Sequence, residues 1–330
     1  MKAVMLSEPG PVENLQIVDL PIPEPQPGWV RIAVKAFGLN RSELHTRLGL
    51  ADGVTFPRVP GIEAVGIVDA APDSDLQPGQ QVAAMMGGMG RTFNGGYAEY
   101  TVVPRSQVIP FHSELPWETL GAIPETLQTA HGSLITGLDL QAGQTFLIRG
   151  GTSALGMAAA TLAKDLGAVV LATTRQRERT DALKAHGVDY PLVDTGEVAT
   201  QVRQVFPHGV DAALELIGTP TLPDTLASTR VHGTVCFTGM LSNEWIVRDF
   251  YPIGYIPRGV RLTAYEGDSA DLPAEVLQRY LDGVASDTID LGPVRVYTMD
   301  EIRKAHSDME HNRTFGKLVV LTNLSDGGRS

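Results

Sequence analysis

The run Phe146-Leu147-Ile148-Arg149-Gly150-Gly151-Thr152-Ser153-Ala154-Leu155-Gly156 restricts what this chain can fold into more than any other stretch. Residues 145–149 read as a short apolar strand, a turn of small residues follows, and 155–166 carries the spacing of an amphipathic helix. Such a turn lets backbone N–H groups approach a pyrophosphate, and the helix N-terminus favours the anion. Gly151, Ser153 and Gly156 hold the three glycine positions of G-x-G-x-x-G, with serine replacing the middle one. The degenerate motif says little alone. A strand before it, a helix after it and a second strand ending about twenty residues on give it weight. Gly151, Thr152, Ser153, Ala154 and Leu155 are therefore the expected dinucleotide-binding turn. The competing reading is a tight turn with no ligand.

The flanking segments keep the same alternation. Strands are expected at 169–173, 190–193, 210–216 and 234–238, with helices at 178–186, 197–206 and 222–229. Short apolar strands alternating with helices indicate a doubly wound parallel sheet. The first third differs. Short β-prone runs at 3–6, 15–20, 30–36, 61–70, 80–85 and 97–103 are separated by prolines and glycines, which suggests a small barrel or sandwich. The last third offers a helix at 272–284, a strand at 294–298, a helix at 300–312 and a strand at 317–322. Asp300 reads as the N-cap of the 300–312 helix, without a capping box because Arg303 stands three residues on. These elements do not extend the parallel sheet economically and are placed back against the β domain. The expected α/β fold thus has a discontinuous first domain, 1–121 with 266–330, and an inserted second domain, 122–265. A chain of 330 residues suits two cores, and with only 6% aromatic residues those cores must lean on Val, Leu, Ile and Ala.

The second strand of the α/β unit ends Leu171-Ala172-Thr173-Thr174-Arg175-Gln176-Arg177. An NAD site usually places Asp or Glu there, against the ribose 2′-OH. Thr174 stands at that place, and Arg175 and Arg177 follow. A 2′-phosphate wants hydroxyl and guanidinium donors, so the expected cofactor is NADPH. Thr238 and Gly239 end the 234–238 strand, where backbone groups can meet a nicotinamide carboxamide; a bare strand terminus is the alternative.

Charge and cysteine content exclude other classes. A net charge of -12 makes the chain a poor electrostatic partner for nucleic acid or an anionic membrane. The longest apolar run, 154–163, is about half the length a membrane-spanning helix needs. No apolar h-region follows Met1, so no signal peptide is expected. One cysteine, Cys236, forbids an intrachain disulfide and any multi-cysteine zinc site, and fits a reducing cytoplasm.

With Gly38-Leu39-Asn40, Pro60-Gly61-Ile62-Glu63-Ala64-Val65-Gly66, Gly95-Gly96-Tyr97-Ala98-Glu99-Tyr100, Thr129-Ala130, the glycine turn and Gly316-Lys317-Leu318-Val319-Val320 in order, the chain resembles the medium-chain dehydrogenase/reductase superfamily. Within it the chain is most similar to the zinc-free quinone oxidoreductases, the zeta-crystallin-like group. The resemblance implies a GroES-like β domain joined to a Rossmann-type domain, a homodimer, and a small-molecule quinone or enone as substrate. Zinc-dependent relatives carry Gly-His-Glu where this chain has Gly61-Ile62-Glu63, and a cysteine near Asn40, where this chain has none. The expected metal content is therefore none. Without a Lewis acid, the acceptor must already be electrophilic, as a quinone or an α,β-unsaturated carbonyl is. The alternatives are a 2-alkenal or enoyl-thioester reductase, and a non-catalytic NADPH-binding sensor or crystallin-like protein.

The resemblance also nominates three catalytic residues. Asn40 matches a family asparagine facing the nicotinamide cleft; its amide either donates to a substrate carbonyl, helps fix the ribose, or caps a turn. Thr129 matches a family threonine in the same neighbourhood and either serves there or bonds its own helix. His45 stands where quinone reductases often have tyrosine and is either a proton donor or a surface residue of a 41–48 helix. The 258–264 segment reads as an edge strand able to pair across a two-fold axis.

Overall fold

The protein is described by a computed structural model over residues 1–313 and 315–322. The chain divides into two compact units, one built from Met1–Thr126 and the chain from Asp268 onward, the other from Leu127–Gly267.

In the first unit a ten-residue strand, Trp29–Gly38, is the hub. Val30, Ile32 and Val34 point into the core, as the period of two requires. Along one edge it pairs with Tyr100–Pro104 through its first half and with Lys317–Leu321 through Ala36–Gly38; along the other it pairs with Glu63–Ala70. Val294–Thr298, Gln81–Met85 and Val108–Pro110 complete the sheet, which is antiparallel apart from the pair Val294–Thr298 and Lys317–Leu321. A hairpin of Lys2–Leu6 and Leu15–Asp19 stands apart. The strand expected at 97–103 starts three residues later, because the Tyr97 N–H is spent on the Pro60 carbonyl in a turn.

The second unit is a six-stranded sheet with every pair parallel, in the order Tyr190–Val193, Val169–Thr174, Thr145–Arg149, Val210–Glu215, Thr229–Phe237, Arg261–Ala264. Numbered along the chain this is 3-2-1-4-5-6, the Rossmann order, with its switch point between Thr145–Arg149 and Val210–Glu215. Its core is aliphatic, with Leu147, Leu171, Val202, Ala213 and Val235 all fully buried. Arg261–Ala264 is an edge strand.

Other expected boundaries move as well. The helix after the glycine turn is Ala154–Asp165. The segment expected as one helix from 178 is a 3₁₀ turn, Arg177–Arg179, running into Thr180–Ala185. Asp300 is not a cap. Thr298 caps a 3₁₀ turn, Met299–Glu301, and its N–H is returned to the Glu301 carboxylate at 3.2 Å, so a capping box does exist, two residues earlier than expected. The helix proper is Ile302–Glu310. Among the described residues no helix is long and apolar enough to cross a membrane.

Candidate cofactor and active-site residues

The glycine turn opens at the carboxyl end of Thr145–Arg149, beside the switch point. Gly150 has φ +92°, a conformation that favours glycine. A Cβ on Gly151 would stand 2.6 Å from Ala172 Cβ, and one on Gly156 would stand 2.6 Å from the Gly150 carbonyl oxygen. Gly151 therefore lets the turn close on the strand Val169–Thr174, and Gly156 lets the helix close on the turn. Ser153, in the place of the middle glycine, has a different use. It is the N-cap of Ala154–Asp165: its Oγ accepts the Gly156 N–H at 3.0 Å and donates to the Gly150 carbonyl at 2.9 Å. The Met157 N–H reaches the Ser153 carbonyl. The Ala154 and Leu155 N–H groups, in the first helical turn, have no intrahelical acceptor. Thr152, Ser153, Ala154 and Leu155 are all partly exposed. This is a cradle with unspent donors at the positive end of a twelve-residue helix, and it fits the pyrophosphate of a dinucleotide.

The turn is stapled to the neighbouring strand. Thr173 Oγ1 accepts the Gly150 N–H and the Thr173 carbonyl accepts the Gly151 N–H, both at 3.0 Å. Thr174 is buried and its Oγ1 accepts the Gln176 N–H at 3.2 Å, which bends the chain out of the sheet. Arg175 and Arg177 follow as exposed side chains.

Sequence reasoning missed the polar scaffold beneath this turn. Arg149, only 1% exposed, ends an apolar strand, and its guanidinium holds Asp194 through Nε at 2.7 Å and Nη2 at 3.1 Å, and Asp224 through Nη1 at 2.6 Å. Asp224 also accepts the Val198 and Ala199 N–H groups, capping the helix Val198–Val205 from outside. Glu215 is wholly buried and takes four donors: the Ile217 and Gly218 N–H groups and the hydroxyls of Thr221 and Thr225. Burial raises its pKa against those bonds. The one legible signal was a charged residue, Arg149 or Glu215, closing an otherwise apolar strand. Thr238 and Gly239 both donate backbone N–H groups to the Glu215 carbonyl, and a Cβ on Gly239 would lie 2.6 Å from the Leu216 carbonyl oxygen. Thr238 Oγ1 meets Ser133 Oγ at 3.0 Å and Cys236 Sγ at 3.4 Å. Burial pushes the Cys236 thiol up, so it stays protonated. Thr129, in the helix Pro124–Gly132, is buried and donates to Gln128 Oε1 at 3.3 Å.

In the first unit the helix Arg41–Arg47 starts at Asn40, whose backbone N–H donates to Glu43 Oε2 at 2.8 Å. The expectation that His45 is a surface residue fails: it is buried, as are Glu43, Leu44, Thr46 and Arg47. The reason is tertiary pairing, because Arg47 donates to the Gly10 carbonyl at 2.7 Å and to Glu310 at 2.6 Å. The Asn40 amide joins a buried ionic cluster. Its Oδ1 accepts from Lys317 Nζ at 2.5 Å and its Nδ2 donates to Glu63 Oε1 at 3.0 Å. Lys317 Nζ stands 3.0 Å from Glu63 and 3.3 Å from Glu125. Burial works against the charged lysine, but the Glu63 and Glu125 carboxylates outweigh it and hold its pKa above the ordinary value. Burial, with the nearby Glu63 charge, raises the Glu43 carboxyl pKa to about 7, against the N–H bonds it accepts from Ile62 and Asn40. Asn40 thus caps and His45 lies within one helix of the first unit, whereas Thr129 belongs to the second.

The profile of the alcohol dehydrogenase GroES-like domain matches residues 26–113, and that of the zinc-binding dehydrogenases matches 183–320. A probable quinone oxidoreductase of Schizosaccharomyces pombe is 25% identical over 330 residues, spanning 97% of each chain. The chain belongs to the medium-chain dehydrogenase/reductase superfamily. Two solved structures are similar in both fold and sequence to this medium-chain oxidoreductase. One is a mycobacterial protein in complex with NADPH, at TM-score 0.84, 26% identity and coverage of 97% and 99%. The other is an NAD-dependent alcohol dehydrogenase, at TM-score 0.85, 26% identity and coverage of 97% and 99%. The zinc implied by the second profile is not matched by the donors present. Ile62 is apolar, Glu63 is already held by an ammonium, and among the described residues no group of three or more His, Cys, Asp or Glu is placed to hold a metal ion.

Proposed function

We propose that this medium-chain oxidoreductase is an NADPH-dependent, zinc-independent reductase of quinones and related conjugated carbonyl compounds. The observation that carries the reading is the Lys317–Glu63–Asn40 cluster beside Ile62: it offers a fixed cation and a polar amide but no metal ligand set, so the acceptor must supply its own electrophilicity. A reduced nicotinamide bound at the glycine turn supplies the hydride. The hydride carries two electrons to the acceptor, one proton completes the hydroquinone or the saturated ketone, and the nicotinamide is left oxidised. Asn40 donates a hydrogen bond to the acceptor carbonyl, where negative charge develops. His45 is the proposed proton source, and Thr129 lies along the nicotinamide. Thr174, Arg175 and Arg177 select the 2′-phosphate, with Thr238 and Gly239 meeting the carboxamide. The protein acts in the cytoplasm as a homodimer whose subunits join along the Arg261–Ala264 edge.

The test is an acceptor screen followed by NADPH absorbance, with and without a chelator. A naphthoquinone or 1,2-quinone turned over at an unchanged rate after chelation supports the reading. Turnover only with 2-alkenals or acyl thioesters moves the substrate class, and NADPH binding without consumption by any conjugated acceptor overturns it.

A further inference from the structure

We infer that Lys317 is a positioning residue for this reduction, fixing and polarising the Asn40 amide so that its second N–H is presented to the acceptor carbonyl. The inference rests on the reading of Asn40 as the carbonyl donor and deepens it.

The argument begins with what each group can do. An ammonium only donates and a carboxylate only accepts. Asn40 lies between the two, with Oδ1 2.5 Å from Lys317 Nζ and Nδ2 3.0 Å from Glu63 Oε1. A flipped amide would set its NH₂ against the ammonium and its carbonyl against the carboxylate, losing both bonds and adding two repulsions. The amide therefore has one orientation. The frame around it is rigid as well. Glu63 Oε2 accepts the Glu125 N–H at 3.1 Å, so the carboxylate cannot rotate away. Lys317 is tied to Glu63 and Glu125 as well as to Asn40. A Cβ on Gly38 would meet Lys317 Cε at 2.6 Å and run into Glu63, so the glycine leaves the space that the pair fills.

Of the four hydrogen-bonding features of the amide, the carbonyl now holds an ammonium and one N–H holds a carboxylate. The second N–H has no acceptor among the described residues. An amide whose carbonyl accepts from a cation is a stronger donor at nitrogen, because hydrogen bonds in series polarise one another in a low-dielectric site. Lys317 thus strengthens the one donor left over, without touching the substrate. A purely structural role does not call for this arrangement. A buried ion pair seldom stabilises more than apolar residues of the same volume.

The experiment compares Lys317→Met, Lys317→Arg, Asn40→Ala and Asn40→Ala/Lys317→Met in quinone reduction by the full chain. The expected result is a fall in kcat of about tenfold for Lys317→Met, smaller than the 10²–10³ typical of deleting a direct donor. The KM for NADPH should stay within about twofold, and Lys317→Arg should recover most of the rate. In the Asn40→Ala background the lysine change should have no further effect. A wild-type kcat in Lys317→Met alongside a slow Asn40→Ala overturns the role of Lys317 and leaves the Asn40 reading intact. A wild-type kcat in Asn40→Ala overturns the Asn40 reading beneath it. An equal loss from Lys317→Met in both backgrounds means the lysine only supports the fold, and also overturns the inference. Should Lys317→Met fail to fold, Lys317→Met/Glu63→Gln removes both charges together and carries the same comparison with and without Asn40.

Discussion

Two buried titratable side chains in the first unit respond to pH in opposite directions. Burial and the Arg47 charge depress the His306 pKa to about 3, while its ring meets the Tyr97 hydroxyl at 3.1 Å. An unfolded histidine titrates near 6.5. Between those values the unfolded chain binds the proton and the folded one does not, so stability is lost as pH falls from about 6.5 toward 3. Glu43 runs the other way. Its folded pKa of about 7 exceeds the ordinary carboxylate value, so its contribution is lost as pH rises through about 7. Melting temperature measured against pH should fall on the acid side, and His306→Gln should flatten that acid limb; an unchanged acid limb would contradict the assignment. At the cofactor site, Arg175→Ala and Arg177→Ala should raise KM for NADPH about tenfold or more and leave KM for NADH nearly unchanged, since the guanidinium groups are assigned to the 2′-phosphate. Equal effects on both cofactors would remove that assignment.

Among the elements, the helix Ala154–Asp165 shows how a departure from a motif can be local chemistry. Serine replaces the middle glycine because it caps the helix, and its hydroxyl also closes onto the Gly150 carbonyl. Ser153→Ala should cost about 1 kcal/mol in denaturant unfolding of this unit while dinucleotide binding persists. Gly156→Ala should do the reverse of a mild change: its Cβ would press on the Gly150 carbonyl at 2.6 Å, shift the helix and weaken dinucleotide affinity. Titration of cofactor fluorescence beside an unfolding curve separates the two outcomes. Elements whose signal is local were legible. Thr145–Arg149, the turn and the helix after it are specified by neighbours in sequence; the strand falls where expected and the helix moves by one residue. The helix Arg41–Arg47 was misjudged because its polar composition reads as solvent-facing, whereas Arg47 finds Glu310 across 263 positions of chain. The cap at Thr298 was overlooked because that residue also ends a strand.

For the whole molecule, the doubly wound parallel sheet followed from periodicity and its Rossmann type from the resemblance, but the strand order and the polar cluster did not. Asn40, Glu63 and Lys317 are joined by the pairing of Trp29–Gly38 with Lys317–Leu321 along one edge and with Glu63–Ala70 along the other, which brings together positions up to 277 apart. Lys317 appeared in the sequence as part of a family-like run, with nothing nearby to reveal what it would touch. Arg149, Asp194 and Asp224 were hidden for the same reason, since three separate segments converge on one guanidinium. The edge strand Arg261–Ala264 leaves one row of backbone groups unpaired within the sheet, and pairing across a two-fold axis would satisfy them. Sedimentation should therefore show a dimer, and a proline at an outward N–H of this strand should give monomers; a wild-type monomer at all concentrations would exclude the homodimer.

The most direct measurement of the central claim is the steady-state rate of NADPH oxidation with a naphthoquinone, taken before and after exhaustive chelation and again after added zinc. Hydride transfer to an acceptor that needs no metal predicts one rate in all three conditions, with one hydroquinone formed per NADPH consumed. A rate that vanishes on chelation and returns with zinc would contradict the account, as would NADPH that binds and is never oxidised.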